Sequence, residues 1–224
     1  MPKDRYKKLL IMELSRSEIV DAIQAINSPN PLRDKALIAF LYLSGCRVEE
    51  CVKYMGLRTV EVDVEVPGTI KGRRAYMLQK QEQLKKVLIG YPIVKKQVEF
   101  FKQDELIIHN VRILKRRKWP VLLRNIPIVI NNKEKDIYQY FMNYLSYLDR
   151  EEPIFNMTRE RAWQIIKEVG LTPHILRHIR LTHLAQDYDF TDQQLVKFTG
   201  WHDSRQASNY VRMNVGDLLK KMKK

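Results

Sequence analysis

His174, Arg177, Trp201 and Tyr210 are residue types from which phosphodiester chemistry without a metal ion could be assembled. Such a reaction needs cations aimed at the non-bridging oxygens, a nucleophile in line with the leaving oxygen, and an acid to protonate that oxygen. His174 and Arg177 stand three apart on a predicted helix, so imidazole and guanidinium can converge on one phosphate from adjacent turns. Gly45-Cys-Arg47-Val-Glu-Glu50 sets a second arginine at the start of a short predicted helix, where the backbone turn and the guanidinium can both face an anion. Taken singly, an arginine at a helix end is usually solvated and a helical tyrosine usually packs, so the chemistry rests on the combination. His174, His178 and His183 also have the helical spacing of metal ligands, but no acidic or cysteine ligand accompanies them and Arg177 between them repels a cation.

A dense cationic stretch accompanies these residues. Arg112, Lys115, Arg116, Arg117, Lys118 and Arg124 fall within Val111 to Arg124 with no acid among them. A basic hairpin tip can simply be soluble, but six cations at this density suit a segment lying along phosphates, with salt-dependent and sequence-tolerant affinity. The whole chain agrees: 224 residues carry 40 Lys plus Arg against 26 Asp plus Glu, a formal charge of +14. Nucleic acid is the commonest partner for such a surplus and an anionic membrane surface the alternative. No apolar run reaches the roughly 18 residues of a membrane span and the amino terminus has no signal-peptide pattern, so a soluble protein of the cell interior is expected. Cys46 and Cys51 form neither a disulfide framework nor a zinc site, which fits a reducing compartment.

The elements that must position these residues are mostly helical. No repeat or Gly/Ser linker interrupts the chain, and its length and 45% hydrophobic content suit one domain. Ser15 to Ile26 reads as an amphipathic helix, Arg33 to Ser44 as a second helix closed by Gly45, and Arg47 opens a third. Val60, Val62, Val64 and Val66 alternate with acids as in a half-buried strand, ended by Pro67-Gly68. Residues 75–104 are charged and Gln/Lys-rich and read as helical in pieces, and 71–104 as an insertion with no assignable role. Leu106 to Leu114 and Val121 to Ile130 form a predicted β-hairpin. Further helices are expected from Lys133 to Arg150, from Thr158 to Gly170, from His174 to Tyr188 after Pro173, from Gln193 to Phe198 after the cap at Thr191-Asp192, and around Tyr210 after Asp203 or Ser204. The fold class expected is mainly α with one small antiparallel β-sheet.

Ser44-Gly-Cys-Arg-Val-Glu-Glu-Cys51, Arg124-Asn-Ile-Pro-Ile128, His174-Ile-Leu-Arg-His178 through Leu184, and Thr199-Gly-Trp201 with Tyr210 nine residues later occur in that order. In order and spacing, over about residues 15 to 212, the chain resembles the catalytic domain of the tyrosine recombinase (phage integrase) family. The resemblance implies that Arg47 and Arg177 clamp the scissile phosphate. Tyr210 becomes the nucleophile of a 3′-phosphotyrosyl intermediate, and His174 exchanges the tyrosine proton. Trp201 stands where most members have a second histidine, and His202 replaces it if the register slips by one. Glu50 and His178 support the site. The general acid is a hairpin lysine, Lys115, with Lys118 as the alternative. Lys71-Gly-Arg-Arg74 imitates that motif but precedes a predicted helix.

No cofactor is implied, because the phosphotyrosine bond conserves the energy. The partner implied is double-stranded DNA, held by a homotetramer on two sites, with a cytoplasmic, nucleoid-associated location and no membrane. Most members carry a separate core-binding domain before the catalytic one. The expectation here is a single catalytic domain over 1–224 without it, which a separate partner could supply, and a tail over 213–224 that packs on a neighbouring subunit. Two other readings stay open. A type IB topoisomerase would relax supercoils as a monomer, and a non-catalytic DNA-binding protein on the same fold would form no covalent adduct.

Overall fold

In the computed structural model, which describes residues 14–70, 73–102, 104–114 and 122–210, the chain is built around a helix with no polar face. This is α2 (Pro31–Ser44), whose residues from Ala36 to Ser44 are all buried. A helix apolar on all sides must be surrounded, and α1 (Arg16–Gln24), α4 (Lys135–Ser146), α5 (Arg159–Glu168) and α6 (Pro173–Asp187) pack against it. Phe40 on α2 meets Phe141 and Phe155, each at 5.3 Å between ring centroids, in tilted arrangements that suit the aromatic quadrupole. Two short helices complete the set, α3 (Val48–Cys51) and α7 (Asp192–Thr199).

The helix boundaries follow from local chemistry. Ser15 and Glu18 form a capping box for α1, and Pro31 occupies the first turn of α2. The hydroxyls of Thr158, Thr172 and Thr191 accept from backbone N–H groups at the starts of α5, α6 and α7. Gly45 ends α2 at φ 57°, where a side chain would also press on Phe198 at 3.0 Å.

The sheet that faces this core is antiparallel, in the order β3 (Val98–Lys102), β4 (Glu105–Arg112), β5 (Leu123–Val129). Leu106, Ile108 and Val111 of β4 and Arg124, Ile126 and Ile128 of β5 point inward. Asn110, at φ 56°, lies where the β4–β5 register shifts between Ile108 and Val111. It is a bulge residue of a type that tolerates the left-handed region.

The sequence expectations need correction at two places. Within 75–104 the helix among the described residues is limited to the 3₁₀ turn Lys95–Gln97, and the described residues form two sheets rather than one. β1 (Tyr54–Ile70) runs straight through Pro67-Gly68 and pairs antiparallel with β2 (Arg73–Gly90) as a long two-stranded ribbon. Lys71 and Gly72 lie outside the described residues. The Gln/Lys/Leu composition of β2 favours a helix locally, but pairing with the valine-rich β1 decides its conformation. The segment before Tyr210 is the other case: it forms a 3₁₀ turn, Ala207–Asn209, rather than an α-helix, within the described residues. Residues 211–224, which include the tail, lie outside them. No helix among the described residues is long and apolar enough to cross a membrane.

A buried polar cluster ties α1, α2, α4 and α6 together. Glu134 accepts from Arg180 at 2.5 Å, Arg16 at 3.1 Å and the Tyr42 hydroxyl at 3.2 Å, while His183 Nδ1 lies 2.9 Å from the same hydroxyl. Burial, reinforced by the positive charges of Arg16 and Arg180, pushes the His183 pKa down to about 4. The fold therefore favours neutral His183. The stability this contributes is complete above the unfolded value of about 6.5 and is lost as pH falls toward 4. Allowing for its partial exposure, the loss expected between pH 6.5 and 4.5 is on the order of 1 kcal/mol. Urea unfolding across that window should show a steeper decline in the native protein than in His183→Gln. Parallel curves would contradict this assignment.

Candidate active site

Gly45 turns the chain from α2 into α3, and this turn is the floor of the site. Arg47 precedes α3 and bonds twice to Glu50 one turn on: its backbone N–H donates to Oε2 at 3.1 Å and Nη1 to Oε1 at 2.9 Å. Glu50, buried, also accepts from Arg124 Nη2 at 3.0 Å. Burial alone would raise this carboxyl's pKa, but Arg124, Arg177 and Arg47 outweigh it and hold the group below the ordinary range, so it is ionised. Around one carboxylate stand three guanidiniums, a local excess of two positive charges. That excess is a cradle for an anion.

Arg177 enters the cradle from α6. It is 6% exposed, donates from Nη1 to the Gly45 carbonyl at 2.5 Å and from Nη2 to the Thr199 carbonyl at 3.5 Å, and lies 5.6 Å from the centroid of the Trp201 ring. Burial pushes its pKa down to about 10, with Glu50 opposing and Arg47 and Arg124 adding to the effect, so it stays charged at neutral pH.

Tyr210 completes the cluster. Its ring packs between His178 (centroids 5.5 Å apart, 27° between planes) and Trp201 (5.8 Å, 23°), and its hydroxyl is hydrogen-bonded to His178 Nδ1. Burial raises the phenol's pKa to about 12, against the pull of Arg177. The hydroxyl is therefore protonated at neutral pH and needs a base to become a nucleophile.

The structure thus brings together Arg47, Glu50, Arg177, His178, Trp201 and Tyr210. His174 lies at the start of α6, exposed, four residues before His178. His178 rather than His174 is the histidine whose bond to the tyrosine hydroxyl is seen. Arg112 is exposed at the end of β4 with its guanidinium 4.4 Å from the Tyr91 ring centroid. Lys115, Arg116, Arg117 and Lys118 lie outside the described residues. Arg124 departs from expectation. It is not exposed but buried, bonded to Glu50, to the Phe198 carbonyl and, at 3.5 Å, to the Cys46 sulfur. The signal was present in strand parity, since Arg124 shares the core face with Ile126 and Ile128.

The glycine before Trp201 has a physical reason. Gly200 ends α7 at φ 70°, and a Cβ there would collide with the Ile113 side chain and stand 3.1 Å from Arg124 Cδ. Only glycine lets the end of α7 approach the β4–β5 hairpin closely enough for Arg124 to reach the Phe198 carbonyl. Cys46 and Cys51 are both buried free thiols, and burial raises the pKa of each, which leaves them protonated and poor nucleophiles.

Comparison with known proteins bears on this geometry. The model of the phage integrase family matches residues 13–216, and the chain belongs to that family. It is 26% identical over 196 residues to the tyrosine recombinase XerD of Mycobacterium leprae (strain TN), an alignment covering 83% of this chain and 50% of that protein. Among solved structures, its fold is similar to that of the XerH site-specific recombinase bound to difH substrate in a pre-cleavage complex. That match has a TM-score of 0.55 and 14% identity and covers 94% of this chain and 53% of the other. It is also similar to the Tn1549 transposon integrase in complex with transposon right end DNA, with a TM-score of 0.50, 13% identity, and 92% and 62% covered. The chain thus spans about half the length of the XerD and XerH proteins it matches. The fold is the α+β fold of the tyrosine recombinase catalytic domain.

Removing the shared carboxylate should be costly, because three guanidiniums would be left facing one another. Glu50→Ala is expected to lower unfolding free energy by about 3 kcal/mol in urea titrations, and Glu50→Gln by less. A loss below about 1 kcal/mol for Glu50→Ala would show that the cluster does not depend on this charge.

Proposed function

We propose that this chain cleaves and rejoins DNA strands at specific sites through a covalent bond between Tyr210 and a DNA 3′-phosphate. The observation that carries this reading is the hydroxyl of Tyr210 bonded to His178, on the same helix as Arg177, whose guanidinium closes on the Gly45 turn beside Arg47. Arg47 and Arg177 hold the non-bridging oxygens of the scissile phosphate in the cradle around Glu50 and stabilise the charge that builds on them. The Tyr210 oxygen attacks phosphorus as its proton passes to His178. The bond to the 5′-oxygen breaks, and Lys115, or Lys118 in its place, protonates that oxygen. His174 contacts the same phosphate from the start of α6. The indole of Trp201 keeps the tyrosine ring in register with Arg177. Rejoining reverses each transfer, so the number of phosphodiester bonds is conserved and no nucleotide cofactor is consumed.

The substrate in this reading is double-stranded DNA. Arg112 and the hairpin cations Arg116 and Arg117 track its backbone, and four copies of the protein assemble on two sites. Arg124 is reassigned from DNA contact to fixing Glu50. The reaction belongs in the cytoplasm, at the nucleoid.

A suicide duplex nicked near the cleavage point traps the intermediate, because the short leaving strand diffuses away. The native protein should give an SDS-resistant adduct and Tyr210→Phe none. Arg177→Ala should slow adduct formation by about 10²- to 10³-fold, as expected for loss of one transition-state donor. An undiminished adduct with Tyr210→Phe, or none with the native protein, would overturn the reading. Adduct on single sites with relaxation of supercoils by monomers would assign the chemistry to a topoisomerase.

A further inference from the structure

The long β1–β2 ribbon plays no part in the chemistry above, and its two faces differ sharply. A two-stranded hairpin is at best marginally stable alone in water, yet every described side chain from Gln79 to Lys86 is exposed. Residues paired across the ribbon share a face, and neighbours along a strand alternate. The pairs Val62 with Gln81 and Val64 with Gln79 therefore define one face, which Gln83 and Lys85 continue. The other face carries Glu61, Asp63, Glu65 and Glu82 together with Lys80, which is 3.3 Å from Glu61, and Lys86. Among the described side chains, one face is carboxamide and isopropyl with the single positive charge of Lys85. The other holds four carboxylates, two lysines and the exposed Leu84 among its described side chains, a net negative charge.

That asymmetry decides which face a polyanion can meet. Gln79, Gln81 and Gln83 follow one another at about 7 Å, two residues of extended chain, which is close to two base-pair steps of B-DNA. A carboxamide donates to and accepts from an adenine edge in the major groove, an isopropyl group suits the thymine methyl, and the groove admits a two-stranded ribbon. Among its described side chains this face offers a second copy of the chain little apolar area, since Val62 and Val64 are half-buried and the exposed groups are three amides and Lys85.

The ribbon is also anchored in the right place. At its root, a Cβ on Gly90 would stand 2.5 Å from the Glu49 carbonyl oxygen and 3.3 Å from that of Val52. The ribbon therefore leaves the body directly against α3, the helix that carries Glu50 and follows Arg47. Its 17-residue strand is long enough to reach about 55 Å from there.

We infer that the Gln79–Gln81–Gln83 face of the ribbon docks in the major groove of duplex DNA and reads A·T base pairs beyond the cleaved phosphate. This rests on the proposed DNA substrate but not on the cleavage step. The test compares binding of the full chain to two pools of long random-sequence duplex, one with adenine and one with 7-deazaadenine, which lacks the N7 acceptor. Both are read by gel shift, beside the variant Gln79→Ala/Gln81→Ala/Gln83→Ala, whose exposed positions leave the fold intact. The native protein should bind the 7-deazaadenine pool about tenfold more weakly, the scale of one bidentate contact, and the variant should bind both pools alike.

This holds whether or not an adduct forms, so failure of the cleavage reading is recorded separately by the suicide duplex. Equal binding of both pools by the native protein, or the same discrimination in the variant, would overturn the proposal. So would sedimentation showing a DNA-free dimer that the triple substitution dissolves, which would assign the face to a second copy.

Discussion

A single buried carboxylate holds this molecule's reactive parts together. Glu50 lies where the end of α2, the start of α3 and strand β5 meet, and it accepts from Arg47 and Arg124 while feeling the charge of Arg177. An ion cluster of this kind contributes little net stability, because desolvating each charge offsets most of the attraction. Its effect is geometric. Arg47 cannot swing to solvent without abandoning Glu50, and Arg124, by also donating to the Phe198 carbonyl, fixes the end of α7 against the same centre. Three guanidiniums around one carboxylate leave two positive charges unbalanced, which favours an anion beside them.

The second organising feature is that Tyr210 is held by stacked rings. His178, Tyr210 and Trp201 form a sandwich whose outer members come from α6 and from the turn after α7. Arg177 lies 5.6 Å from the centroid of the same Trp201 ring, so Tyr210 and Arg177 share one aromatic neighbour. A phenol raised to about pKa 12 by burial stays protonated at neutral pH until a base takes its proton.

Much of this was legible in the sequence because the residues that make the site also make the local structure. Arg47 and Glu50, three apart, announce both a helix start and an ion pair, and Thr172-Pro173 sets the beginning of the helix that carries Arg177. The hairpin β4–β5 was readable from its apolar alternation. The ribbon was not, because residues such as Lys80, Glu82, Leu84 and Lys85 are good helix formers and only their cross-strand partners make them a strand. Arg124 was hidden by company: five neighbouring cations suggested a surface, while its parity with Ile126 pointed inward. The sequence reading puts His174 at the tyrosine and His178 in support; both lie on one face of α6, and the bond from Tyr210 to His178 is visible only once the Tyr210 turn is placed.

The account stands on Tyr210 being the atom donor that joins protein to DNA. The direct measurement is mass spectrometry of the proteolysed adduct from a suicide duplex. The account predicts a 3′-phosphorylated oligonucleotide attached to the peptide containing Tyr210. Attachment to any other tyrosine, or to a residue of another type, would contradict it.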